Sequence, residues 1–176
     1  MASIDPSKLQ KFQKGELKFI QLFNVDAKQI AAIFWVGHNF FKGGQLERAK
    51  NIFEGLAVLD DKLTYVQSML GAIHHLQQNY EVALVYYTRA LEFFPEDINS
   101  LTNRGEVYLK LGRFEEAAGD LKKAIDLDPQ MNHPSANRAR LLALLTTDSL
   151  KSVREKGKGA LPDLKKRLEE RLRSPR

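Results

Sequence analysis

From Ile30 onward the apolar positions fall three and four apart, the spacing of a helix face, and the arrangement returns every 34 residues. The rows begin at Ile30, Thr64 and Ile98. Small residues recur at position 8 (Gly37, Gly71, Gly105) and position 20 (Ala49, Ala83, Ala117). Large apolar residues recur at position 17 (Leu46, Tyr80, Phe114), position 24 (Phe53, Tyr87, Leu121) and position 30 (Leu59, Phe93, Leu127). Position 27 is Ala90 and Ala124 in the later rows and Leu56 in the first; position 32 is Pro95, Pro129 and, in the first row, Asp61. Each row predicts two antiparallel helices. Small residues at positions 8 and 20 let the helices approach where they cross, and large residues at 7, 11, 17 and 24 fill the space around the crossing. Gly43-Gly44, Asn79 and Gly112 fall between the two helices, where a left-handed residue ends the first. The proline ends the second.

This period and residue pattern are those of the tetratricopeptide repeat. The expected fold is all-α: a solenoid of three helix pairs, with a leading helix and a capping helix. Leu9, Phe12, Leu17, Phe19, Ile20, Leu22 and Phe23 give residues 7–24 a helix with a wide apolar face. Residues 134–148 start with Pro134 and a capping Ser135 and read as another helix. In a fourth row that helix places Ala139 at position 8, Leu142 at position 11 and Arg138 at the usually apolar position 7. No second helix of that row follows, as a sealed solenoid end requires. "REKGKGALP" then breaks the helix, and "DLKKRLEERLRSPR" reads as a short exposed one. The expected organisation is a leader over 1–29, repeats over 30–63, 64–97 and 98–131 with a cap to 148, and a tail over 149–176.

Charge changes the picture in one place. Residues 151–176 carry ten Lys or Arg against four Asp or Glu, whereas residues 1–150 carry 17 against 18. The tail alone makes the chain basic, so nucleic-acid or anionic-membrane binding would rest on it. It holds no aromatic residue to stack on bases, so neither partner is expected. Its leucines Leu161, Leu164, Leu168 and Leu172 would also suit docking on a partner or on the solenoid. There is no cysteine, hence no disulfide or thiolate chemistry. "IAAIFWVG" is the longest apolar run, about half too short for a bilayer, and the N-terminus does not read as a secretory signal.

In such a solenoid the first helix of each pair lines the concave face. Positions 2, 5, 9 and 12 there are Ala31, Phe34, His38 and Phe41, then Tyr65, Ser68, Ala72 and His75, then Asn99, Thr102, Glu106 and Leu109. Trp35 and Met69 border the same face. Its first half is aromatic and its second polar. Aromatics that the fold need not bury suit the apolar side chains of an extended peptide. The alternative is that the leading helix or a second subunit covers Phe34 and Phe41.

Repeat one reads "GxNxF" at Gly37, Asn39 and Phe41 and "AxxxFxxLxxLD" from Ala49 to Asp60. Repeat two reads "LGAxxxxxxxYExAL" from Leu70 to Leu84. With the Asp61 ending of row one and both flanking helices, residues 17–148 resemble the class II chaperones of bacterial type III secretion, which hold translocator proteins before export. The resemblance implies a cytoplasmic bacterial protein with a concave groove for a short extended client segment. It implies a groove lining of Phe34, His38, Phe41, Tyr65, Ser68, Ala72 and His75, and a leading helix able to form homodimers.

Three other functions compete with this one. A clamp for a C-terminal carboxylate needs Lys or Arg on the groove face, and the positions it would use are Phe34, His38, Met69 and Asn99. A generic scaffold of a secretion, pilus or motility assembly is compatible with the sequence. An enzyme is not expected: His38, His74, His75 and His133 have no metal-ligand spacing, and "GKGA" lacks a phosphate loop's context. No cofactor, metal or small-molecule substrate is expected.

Overall fold

A computed structural model describes residues 6–14, 16, 25–156, 166–167 and 170. The leading segment begins with α1 (Pro6–Gln13) and a turn at Lys14; the rest of the expected 7–24 helix lies outside the described residues. Three antiparallel pairs follow: α2 (Ala27–Lys42) with α3 (Leu46–Leu59), α4 (Thr64–Leu76) with α5 (Tyr80–Phe93), and α6 (Ile98–Leu111) with α7 (Phe114–Asp126). A long α8 (Pro134–Lys156) packs across α6 and α7. The fold is an all-helical solenoid, and the helix pairs follow the rows of the sequence.

One contact recurs in each pair. The large residue at position 24 lies against the glycine at position 8. A Cβ on Gly71 would sit 2.7 Å from the ring of Tyr87; on Gly105, 2.9 Å from Leu121; on Gly37, 3.0 Å from Phe53. Cβ atoms essentially never approach under 3.0 Å, so Gly71 and Gly105 let the second helix seat its large residue, and at Gly37 a side chain would force Phe53 to give way. Phe53, Tyr87 and Leu121 are all fully buried.

The turn between paired helices also repeats. Gly44 (φ +72°), Gln78 (φ +62°) and Gly112 (φ +78°) are left-handed, each 34 residues from the next. The sequence reading put Asn79 at this place in row two. The structure puts the left-handed residue one position earlier, and Asn79 takes φ −81°, ψ 64°, close to the values Gln45 and Arg113 adopt. The repeat geometry therefore fixes the turn position, and row two fills it with a glutamine at a steric cost.

Among the described residues three clusters share the core, one centred on Phe53, Leu56, Val66 and Leu70, one on Ala83, Tyr87 and Val107, and one on Leu101, Leu109, Phe114 and Leu121. Position 7 is apolar and buried only as Leu70. Val36 is half exposed, and Arg104 reaches across to Asp120 with two bonds of 2.7 and 2.8 Å and to Thr88 at 3.0 Å. This pair ties α5, α6 and α7 together. Where row one lacks its proline, buried Gln67 donates from Nε2 to the Asp61 carbonyl at 3.0 Å and holds the loop instead.

The last helix runs past residue 148 to Lys156. Leu150 and Val153 pack on the third core cluster, and the Thr146 and Ser149 hydroxyls return to carbonyls four residues back at 2.8 Å. Those apolar contacts carry the helix beyond the boundary that composition suggested.

Gly71→Ala should lower stability by about 2 kcal/mol, overpacking outweighing the better helix propensity. Gln78→Gly should hold or raise it, by up to about 1 kcal/mol, through release of left-handed strain. Urea melts of both variants check the pair. Asp120→Ala, which leaves the Arg104 guanidinium half-buried and unpaired, should cost about 2–3 kcal/mol, read the same way.

Candidate peptide groove

The inner faces of α2, α4 and α6 enclose a cleft of about 670 Å³, within the range of ligand pockets. Of the thirteen residues expected there, eleven line it: Phe34, Trp35, His38, Phe41, Tyr65, Ser68, Met69, Ala72, His75, Asn99 and Glu106. Two do not. Ala31 is exposed near the start of α2, outside the lining. Thr102 is fully buried and donates from Oγ1 to the Ser135 carbonyl at 3.1 Å, because α8 covers that face of α6. Leu109, on the same helix face, is likewise core and packs with Ala139 and Leu142 of α8.

The aromatic end has two layers. Phe34 and Phe41 are half-buried on the first core cluster, and the Phe34 ring centre is 5.4 Å from that of Phe53. Trp35 and Tyr65 are 61% and 69% exposed and form the lip. His38 bridges the layers, stacked on Phe34 at 6.1 Å and edge-on to Trp35 at 5.4 Å. Its buried Nδ1 has no hydrogen-bond partner. Most of the apolar gain from a bound side chain is therefore available at the lip, where apolar surface is still wet.

The polar end was only partly legible. Asn103, Lys110 and Arg138 line it, together with Leu76, Gln78, Tyr80, Tyr87 and Asp97. Asn103 sits at position 6, the place of Trp35 and Met69, so the same rule carried into row three finds it. Arg138 is found only by recognising that α8 stands as the first helix of a fourth pair. Arg138 donates from Nη2 to Asn103 and lies 3.6 Å from Glu106. Lys110 approaches the same carboxylate at 3.9 Å and His75 at 3.8 Å. All three distances are too long for hydrogen bonds. Burial lowers the His75 pKa and outweighs the attraction of Glu106, so the imidazole is neutral near pH 7 and its contact with Glu106 is not an ion pair. His74, turned away against Tyr86, is also lowered, first by burial and then by Lys50. His133 accepts the Ser135 amide at 3.2 Å ahead of α8.

A tetratricopeptide repeat family model matches residues 70–146. A curated relative, Hsp70-Hsp90 organizing protein 1 of Glycine max, is 36% identical over 72 residues, 41% of this chain and 13% of that protein. The chain thus spans a small part of the curated relatives it matches. Among solved structures, a T3SS complex from Aeromonas hydrophila superposes with a TM-score of 0.71 at 21% identity, over 84% of this chain and 99% of that one. The Yersinia enterocolitica type III secretion translocator chaperone SycD superposes with a TM-score of 0.67 at 20% identity, over 74% and 91%. A further structure shows SycD in complex with a peptide of the translocator YopD. Residues 70–146 thus match the tetratricopeptide repeat, and the array as a whole shares the fold of those structures. In fold the chain resembles the translocator chaperones of type III secretion.

Stability should fall as pH drops below about 6.5. The partly buried His74 and His75 have lowered folded pKa values, so the unfolded chain takes up protons first and draws the equilibrium toward itself. A His75→Gln variant should lose less stability between pH 7.5 and 5.5 than the wild type, measured by urea melts at each pH.

Proposed function

We propose that the protein is a non-catalytic chaperone that holds an extended, largely apolar segment of a secreted, translocator-type client in this cleft. The observation that carries the reading is an open cleft whose lip residues, Trp35 and Tyr65, are aromatic and mostly wet in the free protein. A fold does not need such residues for its own core. The fold of the translocator chaperones, and the peptide in the SycD complex, support the same reading. Occupying the cleft would cover the client's apolar segment until export and so prevent premature association. Two or three well-seated side chains, at roughly 1.5–3 kcal/mol each less the ordering of the segment, give affinity on the order of micromolar. A bacterial cytoplasmic location and a homodimer through the leading segment belong to the same proposal. Among the described residues no helix is long and apolar enough to cross a membrane.

The layering of the aromatics decides the variants. Phe34 and Phe41 support the core as well as the cleft, so Trp35→Ala with Tyr65→Ala separates binding from folding. That double variant should keep its melting temperature within about 2 °C while losing the client, on the order of tenfold in affinity or more. Co-purification from the native host, read by mass spectrometry beside the wild type, checks this. One abundant secreted protein recovered with wild type alone supports the chaperone. Several machine components recovered equally with both would point to a scaffold using the outer helices, where Val82 and Val85 are exposed.

A further inference from the structure

Tyr87 closes the floor of the cleft from α5. Its ring is held against Gly71 and is 0% exposed. Its hydroxyl, however, has no hydrogen-bond partner. Asn103, which accepts from Arg138, is the polar side chain beside it, and no contact between the two meets hydrogen-bond geometry. An unpaired buried hydroxyl is costly, and such orphans are uncommon in native folds. The packing role of this position does not require it: Phe53 and Leu121 fill the equivalent place in the other repeats with no polar atom. The oxygen is thus an addition to the repeat, placed in the repeat that forms the middle of the cleft.

Resting on the peptide-groove reading, we propose that the Tyr87 hydroxyl is a polar subsite of the cleft that donates a hydrogen bond to a main-chain carbonyl of the bound client segment. The chemistry of the surroundings selects that partner. The phenol stays protonated, since burial raises its pKa, so it offers a donor. The Glu106 carboxylate and the Arg138 guanidinium act on this point with opposite sign, so charge there does not call for an anion. An extended segment supplies a neutral acceptor at every residue, whatever its side chains. The hydroxyl is enclosed in the empty cleft, so a client carbonyl reaches it only if lining side chains shift on binding. The subsite fixes the register of the segment: apolar side chains go to Trp35 and Tyr65, and one carbonyl goes to Tyr87.

The test uses the full-length protein and a defined probe, a fluorescent 12-residue peptide selected from a random displayed library on the wild type. Trp35→Ala with Tyr65→Ala serves as the control for the cleft. Tyr87→Phe keeps the ring and removes only the oxygen. It should weaken the peptide about tenfold in fluorescence anisotropy, with the urea midpoint unchanged or raised. Replacing one backbone amide of the peptide by an ester, which weakens its carbonyl as an acceptor, should cost wild type more than Tyr87→Phe at a single position. If Tyr87→Phe binds as wild type does while the control loses the peptide, the subsite is wrong and the groove stands. A lowered urea midpoint in Tyr87→Phe would make the hydroxyl structural and also overturn the subsite. If no selected peptide depends on Trp35 and Tyr65, the groove reading fails and the subsite fails with it.

Discussion

Everything in this molecule depends on one contact made three times, a large side chain pressed onto the flat face of a glycine on the partner helix. Gly37 takes Phe53, Gly71 takes Tyr87 and Gly105 takes Leu121. The contact sets how closely paired helices approach. Because the three are 34 residues apart, successive pairs are built alike and can stack as repeats. The concave face is a consequence. Once the side of α2, α4 and α6 that carries positions 7, 8 and 11 is committed to the crossing, the stripe of positions 5, 9 and 12 is left facing the hollow. The residues at the cleft follow from glycines that never touch it.

That constraint explains what could be read from sequence and what could not. The rows and their helix pairs were legible because glycine and a large residue at fixed spacing have one physical use here. The aromatic wall was legible from the same spacing, since positions 5, 9 and 12 lie on the side of the first helix turned from positions 7 and 11. Thr102 and Leu109 share that stripe but are covered, because α8 seals the last pair. Periodicity tells which way a side chain points and not whether another helix stands in front of it. Asn79 and Gln78 show the limit in a turn. Asparagine is the better left-handed residue by composition, yet the turn belongs to the repeat, and the glutamine is held there.

The two ends of the cleft differ in what they offer. Phe34, Trp35, Phe41 and Tyr65 present apolar surface, part anchored in the core and part open to water. Glu106, Lys110, Arg138 and Asn103 form a loose polar set in which one carboxylate faces two cations at 3.6 and 3.9 Å without a hydrogen bond to either. A surface so divided favours a ligand with a direction. The open lip supplies binding energy, and the polar end, together with the enclosed Tyr87 hydroxyl, supplies register.

The central claim is that the concave cleft, and not the outer face, is where this protein meets its partner. Site-specific photo-crosslinking in the native host measures that most directly, with a benzoylphenylalanine placed at Leu76 in the cleft wall or at Val85 on the outer helix. The account predicts a discrete adduct from position 76 and none from position 85. An adduct from position 85 with none from position 76 would contradict it.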